Sequence, residues 1–197
     1  MRLLRARDHR VMPWKNGGGS TTEIAAFPDG AGLDAFDWRV SMATVSTDGP
    51  FSVFPNIDRT LAVLSGAGIV LDVDDGRAPV CLTGAHLPLA FPGDVATHGA
   101  LIDGPIVDLN VMSRRGRIAH RVVRHISARA LDFVLTGAVN LIVARAEDLT
   151  LTCDGERVLM GIDDAALIAG PGTAVTIAPG AGQMTAFVIA FSPLTAD

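Results

Sequence analysis

Short runs of alternating apolar and polar residues recur along this chain and favour a β protein over any helical class. Residues 36–42 and 106–112 alternate with a period of two, which is typical of strands that bury one face. Residues 61–64 and 69–73 flank the turn sequence Ser-Gly-Ala-Gly and are predicted to form a hairpin. Helical periodicity is weak and confined to residues 116–130. We therefore predict a mainly all-β fold, a sandwich or a small barrel, with turns supplied by the 21 glycines and 11 prolines.

The two halves of the sequence contain similar segments in the same order, which indicates a duplication. The matching pairs are residues 60–67 with 131–138, 89–94 with 168–173, and 106–113 with 185–192. Three matches in one order favour two barrels of related structure. We expect the first at residues 1–118 and the second at 119–197, with N-terminal strands able to swap between them.

The last strands of the two copies differ in polarity. Asp108, Asn110 and Met112 share one strand face, because side chains alternate along a strand. The matching positions of the second copy are Phe187, Ile189 and Phe191. A polar group inside a barrel costs a few kcal/mol unless it has a partner. We therefore expect the ligand site in the first barrel and a structural role for the second.

A glycine-rich segment at residues 12–23 contains Lys15, the single lysine of the chain, followed by Asn16 and three glycines. The spacing matches neither a phosphate-binding P-loop nor a dinucleotide-binding motif. Lys15 and Asn16 could present an ammonium and an amide to an anionic molecule. The alternative is a flexible turn with a solvated lysine.

Arg39 and Ser41 share the polar face of the strand at residues 36–42. An arginine on an inner face needs a carboxylate. One interpretation is a fixed pair with an internal aspartate such as Asp108. The other is an arginine that awaits the carboxylate of a ligand, for which its planar guanidinium is suited.

Asp58 and Arg59 follow a turn in which Asn56 tolerates the left-handed conformation. Asp58 is interpreted as a turn carboxylate beside an exposed arginine. Alternatively, Arg59 lies at the barrel mouth and makes a second contact to an anion.

Several classes of site are disfavoured. The five histidines form no His-x-His pair, and Cys81 and Cys153 form no Cys-x-x-Cys pair, so we expect no metal, no other cofactor and no disulfide. A net charge of −5 argues against a nucleic-acid partner. The apolar stretch at residues 184–191 is too short to span a bilayer, and the first residues lack a signal-peptide pattern. We expect a cytoplasmic protein without a membrane partner.

Together, five segments in order resemble the HutD/Ves family. They are Pro13–Gly19, Asp37–Ser41, Gly49–Ser52, Asp58–Arg59 and Asp108–Met112, within about residues 10–115. The resemblance implies a cupin-type β-barrel duplicated as a bicupin. It also implies a setting among bacterial histidine-degradation enzymes, where the family's proposed role is to bind N-formylglutamate or a related intermediate and limit flux.

Our first hypothesis is a metal-free bicupin that binds a small carboxylate metabolite and modulates histidine utilisation. The ligand-binding residues we expect are Lys15, Asn16, Arg39, Ser41, Asp58, Arg59, Asp108 and Asn110. The second hypothesis is a metal-independent enzyme, an isomerase or hydrolase, with Lys15 or Asp108 as acid or base. The third is a stress-associated, Ves-like protein or a structural partner protein. We favour binding over catalysis, assign no catalytic residue, and expect exposed sheet edges to support a homodimer.

Overall fold

The computed structural model describes residues 1–15 and 17–194, and this part of the chain is almost entirely β-structure. Its one helical element is a short 3-10 helix at Ala6–Asp8. The chain forms two compact units. The first unit comprises residues 10–118. The second comprises residues 1–9 together with the chain from residue 119 onward, so the first nine residues join the later unit.

The first unit contains one six-stranded and one four-stranded antiparallel sheet. The six-stranded sheet has the order β2-β3-β4-β11-β6-β9, and the four-stranded sheet has the order β5-β10-β7-β8. The strands are β2 (Arg10–Pro13), β3 (Gly19–Phe27), β4 (Trp38–Val45), β5 (Gly49–Pro50), β6 (Ile57–Ser65), β7 (Ile69–Val73), β8 (Val80–Leu82), β9 (Leu89–Pro92), β10 (Thr97–Leu101) and β11 (Ile106–Arg114).

The second unit contains one five-stranded and one four-stranded sheet. Their orders are β1-β17-β14-β19-β12 and β13-β18-β15-β16. The strands are β1 (Arg2–Leu4), β12 (Ile118–Ser127), β13 (Leu131–Val134), β14 (Val139–Ala144), β15 (Leu149–Cys153), β16 (Glu156–Met160), β17 (Ala165–Ala169), β18 (Ala174–Pro179) and β19 (Met184–Pro193).

The same strand order occurs twice along the chain. In the first unit, β4-β11-β6-β9 are neighbours in one sheet and β5-β10-β7-β8 in the other. In the second unit, β12-β19-β14-β17 and β13-β18-β15-β16 are neighbours in the same way. Each strand of the second set therefore follows its counterpart by eight elements. All four sheets are open within the described residues, since each has two edge strands.

The hairpin predicted for residues 61–73 is wrong. Both strands form, as β6 and β7, but they lie in different sheets of the first unit and do not pair with each other. The turn between them contains Gly66 (φ 92°) and Gly68 (φ 127°), backbone conformations that residues with a side chain rarely adopt. A Cβ at Gly66 would lie 2.6 Å from the carbonyl oxygen of Pro105. This turn carries the chain from one sheet to the next.

Two other expectations about the chain also change. The weakly helical stretch at residues 116–130 is mostly strand β12. By strand order, the counterpart of β6 is β14 at Val139–Ala144, rather than residues 131–138, which contain β13. Residues 60–67 and 131–138 both contain a short apolar run followed by a Gly-containing turn. They are therefore similar in sequence without being structural counterparts.

In each unit, core residues come from both of its sheets. In the first unit, Leu61 and Val63 of β6 pack in one cluster with Ile69 and Leu71 of β7. In the second unit, the equivalent cluster includes Ile142, Leu149, Leu151 and Ile177. Full burial of such a side chain contributes about 1.5–3 kcal/mol to folding. The units also differ in buried charge: Arg39, Arg59 and Asp108 are buried in the first, and Asp164 is the buried charged residue in the described part of the second.

Candidate functional site

Strand β11 lies between β4 and β6 in the middle of the six-stranded sheet. In an antiparallel pair, residues directly opposite each other lie on the same face. Three rows of opposed residues therefore cross this face: Ala43–Asp108–Val63, Ser41–Asn110–Leu61 and Arg39–Met112–Arg59. Ala43, Leu61 and Val63 belong to the core of the unit, so this face points inward. The sheet thus brings together five of the eight residues predicted from sequence.

All five of these residues are buried. The exposed fractions are 0% for Asp108, 2% for Asn110, 2% for Ser41, 4% for Arg39 and 6% for Arg59. A buried charge is strongly unfavourable unless it is paired and hydrogen-bonded. The contacts of each charged group therefore decide what this cluster can do.

Asn110 bridges two of the charged side chains. Its Nδ2 donates a hydrogen bond to Oδ1 of Asp108, and its Oδ1 accepts hydrogen bonds from Nε of Arg59, at 2.7 Å, and from Nη2. The other carboxylate oxygen of Asp108, Oδ2, has no hydrogen-bond partner among the described residues. Asp108 and Arg59 are thus linked through a neutral amide rather than by direct contact.

Burial raises the pKa of Asp108 to about 7. The charge of Arg59, the backbone of Ala43 and the amide of Asn110 each oppose this shift, but together they are weaker than the loss of hydration. At neutral pH, Asp108 is therefore a mixture of the ionised and protonated forms.

Arg59 lies close to two aromatic rings. Its guanidinium carbon is 4.7 Å from the ring centre of Phe51 and 5.5 Å from that of Phe91, within the range of cation–π contacts. Burial lowers the pKa of Arg59 to about 10, Asp108 opposes this shift, and the positive charge of Arg39 adds to it. Arg59 is therefore still cationic at neutral pH.

Arg39 pairs with Glu23, a residue that the sequence interpretation did not single out. Nε of Arg39 donates to Oε2 of Glu23 at 2.7 Å. Glu23 lies opposite Ser41 on β3, and its side chain is 20% exposed. Both terminal nitrogens of Arg39 are without a hydrogen-bond partner among residues 1–15 and 17–194. The carboxylate paired with Arg39 is therefore Glu23 rather than Asp108, and donors of Arg39 remain available.

The structure places Asp58 on the opposite face of β6 from Arg59, because neighbouring residues of a strand alternate. Its carboxylate accepts a hydrogen bond from Nε of Arg115 at 2.8 Å, and Arg115 also pairs with Asp94. Asp58 is thus a surface carboxylate outside the buried cluster. Asn56 has φ 58°, which confirms the left-handed turn predicted there.

Lys15 is exposed in the turn that joins β2 and β3. This turn is closed by the backbone N–H of Trp14, which donates to the carbonyl of Gly19 at 2.9 Å. Gly19 lies four residues along β3 from Glu23, about 13 Å at the usual strand rise. Lys15 is therefore not part of the buried cluster. Asn16 lies outside the described residues.

The second unit has an uncharged counterpart of this face, apolar except for Asn140, and on β19 it is formed by residues one position away from those we expected. The rows opposite β14 are Ala186–Ala144, Val188–Ile142 and Ala190–Asn140. Ala186 and Val188 belong to the core cluster of the unit, and Phe187, Ile189 and Phe191 alternate with them on the other face of β19. The assignment of the three aromatic and aliphatic residues to the inner face is wrong. The contrast in polarity between the two units remains.

The described part of the chain shows neither a cluster of metal-binding side chains nor a membrane-spanning helix. There, no group of three or more histidine, cysteine or acidic side chains is positioned to hold a metal ion. No helix in that part is long and apolar enough to cross a membrane.

Solved structures show a similar fold. HutD from Pseudomonas fluorescens SBW25 superposes with a TM-score of 0.81 at 32% identity, covering 98% of this chain and 99% of that one. A cupin 2 conserved barrel domain protein from Leptotrichia buccalis superposes with a TM-score of 0.52 at 11% identity, covering 86% of this chain and 87% of that one. The second likeness shows the fold alone, and it is cupin-like.

Sequence relatives point the same way. An uncharacterised 21.2 kDa protein from the hutC 3′ region of Pseudomonas putida is 42% identical over 112 residues, which is 57% of each chain. The protein Ves of Citrobacter koseri is 36% identical over 145 residues, 68% of this chain and 74% of that one. The family model HutD matches residues 6–186. From this match, the chain belongs to the HutD family.

Proposed function

We propose that the first unit binds a small carboxylate metabolite, N-formylglutamate or a related intermediate of histidine degradation, and so modulates histidine utilisation. Membership of the HutD family and the relative in a hutC region support this setting.

We also propose that each eight-stranded set is a cupin-type barrel, so that the protein is a bicupin. The repeated strand order and the cupin-like neighbour support this description.

The observation that carries the proposal is the state of Arg39. Its side chain is 4% exposed and is held through Nε by Glu23, which leaves the two terminal nitrogens as donors. Paired N–H groups on a planar guanidinium match the geometry of a carboxylate. Neither terminal nitrogen is among the fully buried atoms of the described residues that lack a partner, so both are open enough to donate to a ligand that enters.

The other buried residues would complete the site. Arg59 adds a second positive charge, and the hydroxyl of Ser41 and the second N–H of Asn110 can recognise an amide or a formyl group. Lys15 stays in the proposal as a cation that attracts an anion from solution, and Asn16, next to it in sequence, stays as a hydrogen-bonding amide. Asp58 is left out of the lining, because it lies on the other face of β6.

The test is isothermal titration calorimetry with N-formylglutamate, glutamate and urocanate. We expect wild-type protein to bind at least one of them, and Arg39→Ala to lose at least tenfold in affinity, since a charge-assisted hydrogen bond is worth about 1.5–3 kcal/mol. Arg115→Ala is the matched control, because it removes an arginine of the same unit that pairs with surface carboxylates. Absence of binding to wild type, or equal losses in both variants, would contradict the proposal.

A second candidate function is a metal-independent isomerase or hydrolase, and Asp108 favours it. A buried carboxyl with a pKa of about 7 suits a general acid or base at physiological pH. The discriminating measurement is product formation from the same metabolites by chelator-treated protein. Turnover that disappears in Asp108→Asn would support an enzyme, whereas thermal stabilisation by ligand without turnover would support a binding protein.

A homodimer, a cytoplasmic location and a Ves-like stress role stay predictions.

A further inference from the structure

The buried cluster of the first unit, taken together with the partly exposed Glu23, contains two acidic and two basic groups. Arg39 pairs directly with Glu23, and Arg59 is linked to Asp108 through Asn110. With both carboxylates ionised, the two positive and two negative charges balance. A ligand carboxylate that enters this cluster adds a third negative charge. In a region of low dielectric constant, such an excess charge is costly unless it is neutralised.

We propose that the first unit takes up a ligand carboxylate together with one proton, and that the proton goes to Asp108. This inference rests on the proposed function, since it concerns the same site and the same class of ligand. The ligand carboxylate, bound to the terminal nitrogens of Arg39, replaces Asp108 as the second negative charge of the cluster. Asp108 then becomes a neutral carboxylic acid, and the charges of the cluster balance again.

Asp108 suits this role because it has the weaker link to a cation. Its Oδ2 makes no hydrogen bond with the described residues, so a proton there breaks none. Its link to Arg59 runs through the amide of Asn110. Glu23, in contrast, contacts Nε of Arg39 directly at 2.7 Å, and its side chain is 20% exposed. Protonation of Glu23 would therefore remove the negative charge from a direct ion pair, whereas Asp108 makes no direct contact with a cation.

The surroundings of Asp108 set the direction of the effect. On the same face, the charged groups of the described residues are Arg59 on β6, Arg39 on β4, Glu23 on β3 and, opposite Glu23 on β2, the exposed Arg10. The facing strand β7 contributes apolar side chains to the common core, and His98 of β10 is exposed. With an exposed fraction of 0%, Asp108 is not screened by water. A new negative charge in this cluster therefore disfavours the ionised form of Asp108.

The experiment is calorimetry with N-formylglutamate from pH 6 to 9, repeated in buffers of different ionisation enthalpy, which reports the protons exchanged on binding. We expect an uptake close to one proton per bound ligand at pH 8, and a Kd that rises up to about tenfold per pH unit above pH 7. Asp108→Asn should bind without proton uptake and with a Kd that changes little with pH. Asp58→Asn is the matched control, since it removes a carboxylate from the outer face of β6, and it should behave as wild type.

The outcomes separate this inference from the proposed function. Absence of binding at every pH would overturn both. Binding without proton exchange, or an uptake that persists in Asp108→Asn, would overturn the inference and leave the carboxylate site standing. If Asp108→Asn does not fold, the wild-type series still decides, because a Kd independent of pH together with zero uptake contradicts proton-coupled binding.

Discussion

Asn110 shows how one amide can hold two buried charges in place. Its Nδ2 must face Asp108, because only a donor can satisfy that carboxylate, and its Oδ1 then faces Arg59. In the second unit, the position facing Ile142 is occupied by Val188, with Ala186 before it and no charge to bridge. Asp108 and Asn110 therefore function as a pair, and neither would be stable in this core alone.

The buried carboxyl of Asp108 makes stability depend on pH in an unusual direction. Its pKa is raised from 3.8 to about 7, so the folded protein holds a proton that the unfolded chain loses above pH 3.8. The stability associated with Asp108 is therefore fully present below pH 3.8 and falls as the pH rises to about 7. Relative to Asp108→Asn, we expect the wild type to lose about 3 kcal/mol of unfolding free energy between pH 5 and pH 8.

Urea unfolding of both proteins at the two pH values measures this difference, and the other titrating groups cancel because both proteins contain them. A difference in unfolding free energy that does not change between pH 5 and pH 8 would show that Asp108 is ionised throughout.

At the scale of the strands, the alternation of residues predicted more than the turns did. Residues 106–112 and the polar face of Arg39 and Ser41 follow directly from a period of two, and both strands form. The same alternation could not predict which strands pair with β6, because a Gly-containing turn can either close a hairpin or carry the chain to another sheet. Which of these occurs depends on packing far away in sequence.

Glu23 was missed for a related reason. Between Glu23 and Ala25 the register of β3 against β4 shifts by one residue, a bulge that interrupts the alternation. Beyond the bulge, Ala25 and Ala26 are buried next to each other, so the sequence of β3 reads as a continuous apolar run. The pairing of Glu23 with Arg39 depends on this register, which a single sequence does not determine.

The close approach of β3 and β4 can be tested at Gly19. A Cβ there would collide with the carbonyl oxygen of Thr44 and lie 3.0 Å from the ring of Trp14. Since the colliding atom is backbone, Gly19→Ala should shift the strands apart and lower the unfolding free energy by about 1–3 kcal/mol. Gly32→Ala is the control, because a Cβ at Gly32 meets nothing within 4 Å. Thermal denaturation compares the two, and equal Tm values would contradict the expected collision.

At the scale of the whole molecule, the two units share a strand order but differ in what their cores tolerate. The first encloses Asp108 with its bridging amide, whereas Ala186 in the second lies in an apolar cluster and is fully buried. Ala186→Asp would place a carboxylate there without a partner, and we expect a loss of at least about 3 kcal/mol at neutral pH. The loss should be smaller near pH 4, where the new carboxyl is protonated.

Chemical denaturation at the two pH values measures this effect, and Ala128→Asp at an exposed position serves as the control. A variant Ala186→Asp as stable as the control would mean that the second core accommodates a charge as the first does.

The pairing of β1 with β17 has a consequence for synthesis on the ribosome. Arg2–Leu4 form an edge strand against residues 165–167, so β1 is synthesised more than 150 residues before its partner emerges. Residues 10–118 contain every strand of their own sheets and can assemble while translation continues. The later unit gains this edge strand from residues 2–4, and a nascent chain stalled before residue 165 would leave those residues unpaired.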